Sequence, residues 1–400
     1  MRLLTQRHAW ITLVVGAAFL AGFGATAMAQ SSSQSPITIA VVAGFTGSQA
    51  PSSDMWIAGI RVAASEINAQ GGILGHPVKV DTYDYQSQPT LSLAEMRRAL
   101  QTKPYAVLGT ILSGATIINY PILQSAGVPQ FTGSVNPQIE AKNPTSLFDT
   151  EPNASLEAKM FADWAVKNAS VKRVDIVYGN DSFGESGMQS FDQLFTSAGA
   201  QVVDKISTSI GQTNYSGVVA KIQQDNPDAV FMYMHETETG KFLVQAASAG
   251  LTSKMKFLGA SSALSPATLE IAGQSANGVE GFVPFTATAP SLQALGQQYA
   301  ASHGGNLPDH NYYKGYMALW AIDYATTAIG KLDQKAMVGW LHERTLCVSK
   351  YPHLLGDTYW SPNGNLDIHG YIVKVQDGKQ VLADTTPSAN PSHLASCGGN

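Results

Sequence analysis

The sequence has 400 residues, 44% of them hydrophobic, enough for two domains of ordinary size, each with its own core. Its 24 Lys and Arg against 29 Asp and Glu give a formal charge of -5, which excludes the basic surface or high pI that a nucleic-acid partner demands. Only 13% of residues are charged, so the surface must lean on Ser, Thr, Gln and Asn.

The chain opens with Arg2 and Arg7, then an uncharged apolar segment from Ile11 to Phe23, then Ala27-Met28-Ala29. A basic start, a short apolar run and a small-x-small site describe a secretory signal peptide over residues 1–29, with cleavage after Ala29. The apolar run is short for a membrane span, and no cysteine near the site offers a lipid anchor. Losing Arg2 and Arg7 makes the exported chain more acidic still. Ser31 to Pro36 is a polar linker.

From Ile37 strands and helices alternate. "ITIAVVAGFTG" is a continuous apolar run suited to a strand buried on both faces of a parallel sheet. In "DMWIAGIRVAASEINAQGG", Trp56, Ile60, Ala63, Ala64 and Ile67 fall at helical spacing; Asp54 is placed to cap the start and Gly71-Gly72 end it. The strand "VKVDTYD", a helix over Thr90 to Leu100, the strand "YAVLG", a helical segment "ATIINYPILQSAG" and the strand "VPQFTG" complete the first run.

After "LFDTEPN" the pattern restarts. Helices are expected over Leu156 to Val166, Glu185 to Ser197, "YSGVVAKIQQ" and Thr239 to Ala249, alternating with the strands "RVDIVYG", "AQVVDKIS", "DAVFMYM" and "MKFLGA". Such alternation implies right-handed crossovers and mostly parallel sheets. Two runs broken near Pro152 imply two doubly wound, Rossmann-like α/β lobes. "GVEGFVPF", helices over Leu292 to Ser302 and Tyr312 to Gly330, and a hairpin turning at Asp377-Gly378 must cover one or both lobes. The tail from Thr385 reads as irregular.

These segments resemble the Leu/Ile/Val-type periplasmic solute-binding proteins of ABC importers. The likeness is carried by "ITIAVVAGFTGSQA", "AVLGTILSGAT", "AGVPQFTGSVNP", "VYGNDSFGES", "MKFLGASSALSPATLEIAG" and above all "EINAQGGILGHPVKV" followed by Asp84. It implies a type I periplasmic-binding fold, with two lobes joined by three crossings near Pro152, Pro284 and Ser361-Pro362. The N-terminal lobe would comprise 36–152 plus 284–361, the C-terminal lobe 153–283 plus 362–384, and the tail 385–400. It also implies a monomeric periplasmic binder of a small solute, partnered by a membrane permease. No cofactor is called for.

Ligands of open α/β sheets lie beyond the carboxyl ends of the strands. That rule selects the loops Phe45 to Ser53, Thr110 to Thr116, Gly133 to Asn136, Gly179 to Gly184, His235 to Glu238, and Ala260 to Ser262. In "GTILSGAT", Ser113 matches the family's carboxylate-holding hydroxyl and Gly114 its neighbouring amide; a helix N-terminus suits an anion. In "GSVNP", Ser134-Val135 stand where amino-acid binders carry Ala-Thr. In "GASSAL", Ser261 stands where those binders carry an acid for the ammonium, so Glu236, beside His235, is the candidate replacement. Phe183 matches an aromatic lining residue. The resemblance therefore implies a branched-chain amino acid or a related carboxylate or amide.

Gly179, four residues, then Gly184-Glu185-Ser186 imitates a phosphate-binding P-loop, but Glu185 stands in place of the lysine. No G-x-S-x-G elbow is present. Ser253 to Lys256 fits S-x-x-K only formally, and the nine histidines show no metal-ligand spacing. The reading is of a binding protein rather than an enzyme; a ligand-binding sensor subunit for a membrane receptor shares the fold, and an exported hydrolase is a remote third. The two cysteines, Cys347 and Cys397, allow one disulfide in an exported chain.

Overall fold

The computed structural model describes residues 34–397; the expected signal peptide and its cleavage site lie outside them. Strands β1 (Ile37–Ala43), β2 (Val78–Asp84), β3 (Ala106–Gly109), β4 (Gln130–Thr132) and β5 (Leu147–Asp149) form a wholly parallel sheet in the order β2-β1-β3-β4-β5. Between them run α1 (Ala50–Ala69), α2 (Pro89–Gln101) and α3 (Ser113–Ala126). The short strands β3 and β5 are buried throughout, as continuous apolar runs covered on both faces must be.

The second lobe follows with α4 (Ala154–Lys167), β6 (Arg173–Gly179), α5 (Ser182–Ala198), β7 (Gln201–Thr208), α6 (Ser216–Asp225), β8 (Ala229–Tyr233), α7 (Glu236–Ser248), β9 (Lys256–Gly259), α8 (Pro266–Ala272) and β10 (Glu280–Val283). The chain then returns to the first lobe through α9 (Gln293–Ser302), α10 (His310–Ile329), α11 (Gln334–Leu341), and a small antiparallel sheet of β11 (Thr345–Leu346), β12 (Thr358–Trp360) and β13 (Leu366–Asp367). It re-enters the second lobe as β14 (Gly370–Gln376) and β15 (Lys379–Thr386), which complete a sheet in the order β15-β14-β10-β9-β8-β6-β7. Among the described residues, no helix is long and apolar enough to cross a membrane.

Helices cover both faces of each large sheet. In the first lobe α1 and α10 bury Trp56, Ile60, Tyr312 and Trp320 against one face, while Tyr83, Tyr85 and Met96 fill the other. Helices α1 and α10 approach so closely that a Cβ on Gly59 would stand 1.9 Å from the Tyr312 carbonyl oxygen, and one on Gly315 2.3 Å from that of Trp56. Only glycine fits at either crossing point. This contact presses the start of α10 against the cleft.

Several boundaries differ from the sequence reading. Helix α1 begins at Ala50 with Pro51 in its first turn, so Asp54 lies inside the helix and caps nothing; proline is well suited to a helix's first positions, where its missing N–H is no loss. Glu236 and Glu238 form the first turn of α7, not a loop. The third crossing is not at Ser361-Pro362. Pro362 to Gly364 form a tight turn, with Gly364 N–H donating to Ser361 O at 2.9 Å and Ser361 N–H to Asn365 O at 3.0 Å. That turn pairs β13 with β12 and keeps Leu366 and Ile368 in the first lobe's core, so the chain changes lobes between Ile368 and Gly370.

Strand β15 runs to Thr386, so the tail starts two residues later than expected and is ordered by specific contacts. It passes back to the first lobe. Asn390 Nδ2 donates to both Asp367 carboxylate oxygens at 3.0 and 3.1 Å, Thr345 Oγ1 donates to His393 O at 2.6 Å, and Cys397 is disulfide-bonded to Cys347 with Cα atoms 5.3 Å apart. The tail is thus a fourth, covalently anchored connection between the lobes.

Candidate functional site

A cavity lies between the lobes at the carboxyl ends of their strands, where the open-sheet rule puts ligands. It measures about 50 Å³, several water-sized positions at roughly 10–15 Å³ each. From the first lobe it is lined by Gln49, Ser52, Ile111, Leu112, Ser113, Gly133, Val135, Glu151, His310, Asn311 and Lys314, and from the second by Glu157, Phe183, Tyr233, His235, Glu236, Ser261 and Ser262.

The loop after β1 is shaped by Asp84. Its carboxylate accepts from Phe45 N at 2.9 Å, Gln86 N at 2.7 Å and Thr46 Oγ1 at 2.7 Å. Although burial opposes it, these donors hold the Asp84 pKa below its ordinary value. The loop delivers Gln49 and Ser52 to the cleft.

Beside it, threonines lock the turns after β3 and β4. Thr132 Oγ1 donates to Thr110 O at 2.8 Å, and the hydroxyls of Thr110 and Thr116 are 2.7 Å apart. Ser134 Oγ donates to Ser113 Oγ at 3.2 Å, which leaves the Ser113 hydrogen for an acceptor in the cavity. Ser113 is the first residue of α3, where backbone N–H groups lack intrahelical acceptors.

On the second lobe, Asp181 caps α5 by accepting from Gly184 N at 2.9 Å. A Cβ on Gly184 would lie 2.0 Å from the Gly179 carbonyl oxygen. The two glycines of the P-loop look-alike therefore bring helix and strand together, and Phe183 is carried onto the cavity wall. Its ring stacks against Tyr233 at 4.5 Å and His235 at 4.8 Å between centroids. His235 Nε2 lies 2.8 Å from Asp181 Oδ2. Burial opposes protonation of His235, but the hydrogen bond and charge of Asp181 prevail and raise its pKa.

Direct hydrogen bonds cross between the lobes. Ser52 Oγ donates to Glu236 Oε1 at 2.8 Å, Gln49 Nε2 is 3.2 Å from His235 Nδ1, and Asn136 Nδ2 donates to Ser182 O at 2.8 Å. Glu236 opens α7, where the positive end of the helix dipole favours a carboxylate.

A cluster of charges closes the inner end. Lys314 Nζ donates to Glu151 Oε1, and both groups are almost wholly buried. The Lys314 ammonium also lies 5.8 Å from the Trp56 ring centre, a favourable cation–π placement. Tyr233 Oη donates to Glu157 Oε2 at 3.0 Å. Burial, then the Glu151 charge, push Glu157 up to about 8. Burial, then Lys314, hold His310 well below the ordinary histidine value.

Of the residues selected from sequence, Ser113, Val135, Phe183, His235, Glu236 and Ser261 share this cavity. Ser134 stands behind Ser113 as its hydrogen-bond donor. Gly114 is not on the wall; its Cβ position faces Pro89 and Ser182 at 3.6 Å. Sequence reasoning missed Glu151, Glu157, Tyr233, His310, Asn311 and Lys314, whereas Gln49 and Ser52 lie in the selected loop Phe45 to Ser53 without having been singled out. Two of these carried a readable signal. Glu157 falls on the stripe Ala154, Ala158, Phe161, Ala165, a carboxylate among buried apolar positions. Lys314 is the lone Lys or Arg in the otherwise buried stretch from His310 to Ile322.

Residues 36–380 match the family model described as periplasmic binding protein. Among curated proteins, the Leu/Ile/Val-binding protein of Citrobacter freundii is 28% identical over 66% of this chain and 72% of its own length. The amino acid binding protein of Pseudomonas aeruginosa is 23% identical over 86% and 91%. Among solved structures, a leucine binding protein from Thermotoga maritima superposes with a TM-score of 0.80 at 22% identity, covering 88% of this chain and 99% of that one. A solute binding protein of an ABC transporter from R. palustris, in complex with benzoate, gives 0.79 at 19% identity, covering 88% and 97%.

Proposed function

This chain belongs to the periplasmic binding protein family, and from that premise we propose that it is the solute-binding component of an ABC importer and that its interlobe cavity takes a small amino acid or a related carboxylate or amide. The observation that carries this reading is the composition of the cavity wall. One lobe presents the free Ser113 hydroxyl at a helix N-terminus, a place for a carboxylate. The other presents the Glu236 carboxylate, whose hydrogen-bond donor is the neutral hydroxyl of Ser52, a place for an amine. Val135, Ile111 and the Phe183 ring supply the apolar surface between. Small ligands are held by such a mix of apolar lining and a few orienting polar groups.

The expected replacement of the family's acid is thus assigned to Glu236, with Ser261 a neutral neighbour. The protein works in the periplasm as a monomer, its lobes closing on the solute before delivery to the membrane permease. It binds without chemical turnover. The test is thermal denaturation of the protein lacking residues 1–29 against amino acids, aromatic acids, short fatty acids and amides. A solute bound at a hundred times its Kd stabilises by about 2.7 kcal/mol, so a true ligand raises Tm. No shift across the whole panel would refute the reading.

A further inference from the structure

We propose that Glu151 and Glu157 form a second polar pole of the cavity, selecting an amino-acid solute with an N–H donor at the far end of its side chain. The proposal rests on the preceding reading of the cavity as the solute site.

Two buried oxygens point to it. Glu151 comes from the first crossing and Glu157 from α4, and both line the cavity while only 3% and 2% exposed. Each carboxyl is half satisfied. Glu151 Oε1 accepts from Lys314 and Glu157 Oε2 from Tyr233. Glu151 Oε2 and Glu157 Oε1 are buried with no hydrogen-bond partner. The imidazole beside Glu151 does not fill the gap: His310 Nε2 stands 4.0 Å from Glu151 Oε2, beyond hydrogen-bonding range, and burial keeps the ring neutral.

A buried acceptor without a donor is costly, and the great majority of such groups in folded proteins are paired. A solute that brings the donor recovers that cost; a hydrocarbon side chain would bury the two oxygens permanently unpaired. Burial and the Glu151 charge raise Glu157 to about 8, so it is protonated at neutral pH, and with Tyr233 donating to Oε2 its own hydrogen lies on Oε1. The pole offers the Glu151 Oε2 acceptor beside one O–H donor, with its single negative charge already matched by Lys314. It therefore suits a neutral side-chain amide as well as an ammonium. Both share the N–H donor, and the experiment separates them.

Titration calorimetry of the protein lacking residues 1–29 with near-isosteric pairs makes the test: L-asparagine against L-leucine, L-glutamine against L-methionine, and L-lysine against L-norleucine. The donor-bearing member of at least one pair should bind at least tenfold tighter, the first two pairs reporting an amide and the third an ammonium. Glu157→Met, which keeps length but removes both oxygens, should cut that preference below threefold. If the apolar member binds as tightly as its partner in every pair, the pole is overturned while solute binding stands. Failure of all six to bind overturns the amino-acid assignment of both poles. The wild-type comparison decides the matter even where the variant does not fold.

Discussion

Ser52 Oγ, on the first helix of one lobe, donates to Glu236 Oε1, on the first turn of a helix of the other, at 2.8 Å across the cleft. The carboxylate assigned to the solute's amine is therefore also part of the contact that holds the lobes together. Closure and recognition share one group, so solute and hinge are energetically coupled.

Ser52→Ala removes the donor while leaving Glu236 in place. Hydrogen bonds to charged groups are worth about 1.5–3 kcal/mol, so solute affinity should fall about tenfold or more. The loss should lie mainly in a faster dissociation rate, because the bond exists only with the lobes together. Stopped-flow release kinetics would show it; an unchanged off-rate would mean that this contact does not contribute to closure.

Glu236→Gln keeps the shape and the Ser52 contact but removes the charge. Solutes bearing both amine and carboxylate should weaken more than tenfold, whereas a carboxylate without an amine should weaken little. Calorimetric titration of one member of each class is sufficient. Equal losses for the two would move the amine elsewhere.

The buried acids set the pH dependence of stability. Burial raises Glu157 to about 8, and Glu140 and Asp309 to about 7. Each keeps its proton in the folded chain at a pH where the unfolded chain has lost it. Folded protein then binds more protons than unfolded, and stability falls as pH rises through that window. His235, raised by Asp181, adds to the fall. His310, lowered from 6.5 by burial, acts oppositely, but only below its unfolded value. The decline is thus cleanest above pH 6.5, and Tm should drop by several degrees between pH 6.5 and 8.5, at about 2–4 °C per kcal/mol. A Tm that rises over that interval would contradict the assignment of these protons.

The disulfide between Cys347 and Cys397 spans 50 residues and anchors the strap that links the lobes a fourth time. Chain entropy puts such a loop at about 4 kcal/mol, with engineered cases usually lower. Cys347→Ser with Cys397→Ser should lower unfolding stability by about 2–4 kcal/mol in a denaturant titration. Reduction of the native protein should do the same. A change below half a kilocalorie would show that the tail's hydrogen bonds alone hold it.

Much of the architecture could be read from residue patterns. Continuous apolar strands such as Ile39 to Ala43 and helices ended by glycine carry their own local signals, and those signals agree with the observed sheet. The loops of the cleft followed from the open-sheet rule, and with them Ser113, Phe183 and Glu236. What sequence could not give was set by distant partners. Glu151 has its buried partner because Gly59 and Gly315 let α10 pack closely on α1 and bring Lys314 to it. The third crossing, which the resemblance put near Ser361-Pro362, lies further on because Asn363-Gly364, a strong hairpin signal, turns the chain back to pair β13 with β12.

The most direct measurement is the affinity of Ser113→Ala for whichever carboxylate-bearing solute gives the largest thermal shift. Ser113 is buried, its hydroxyl is aimed by Ser134, and its own hydrogen is free for the solute. Affinity should fall more than tenfold, with Tm of the solute-free protein little changed. An unchanged affinity would remove Ser113 from the site and, with it, the assignment of the carboxylate to the first lobe.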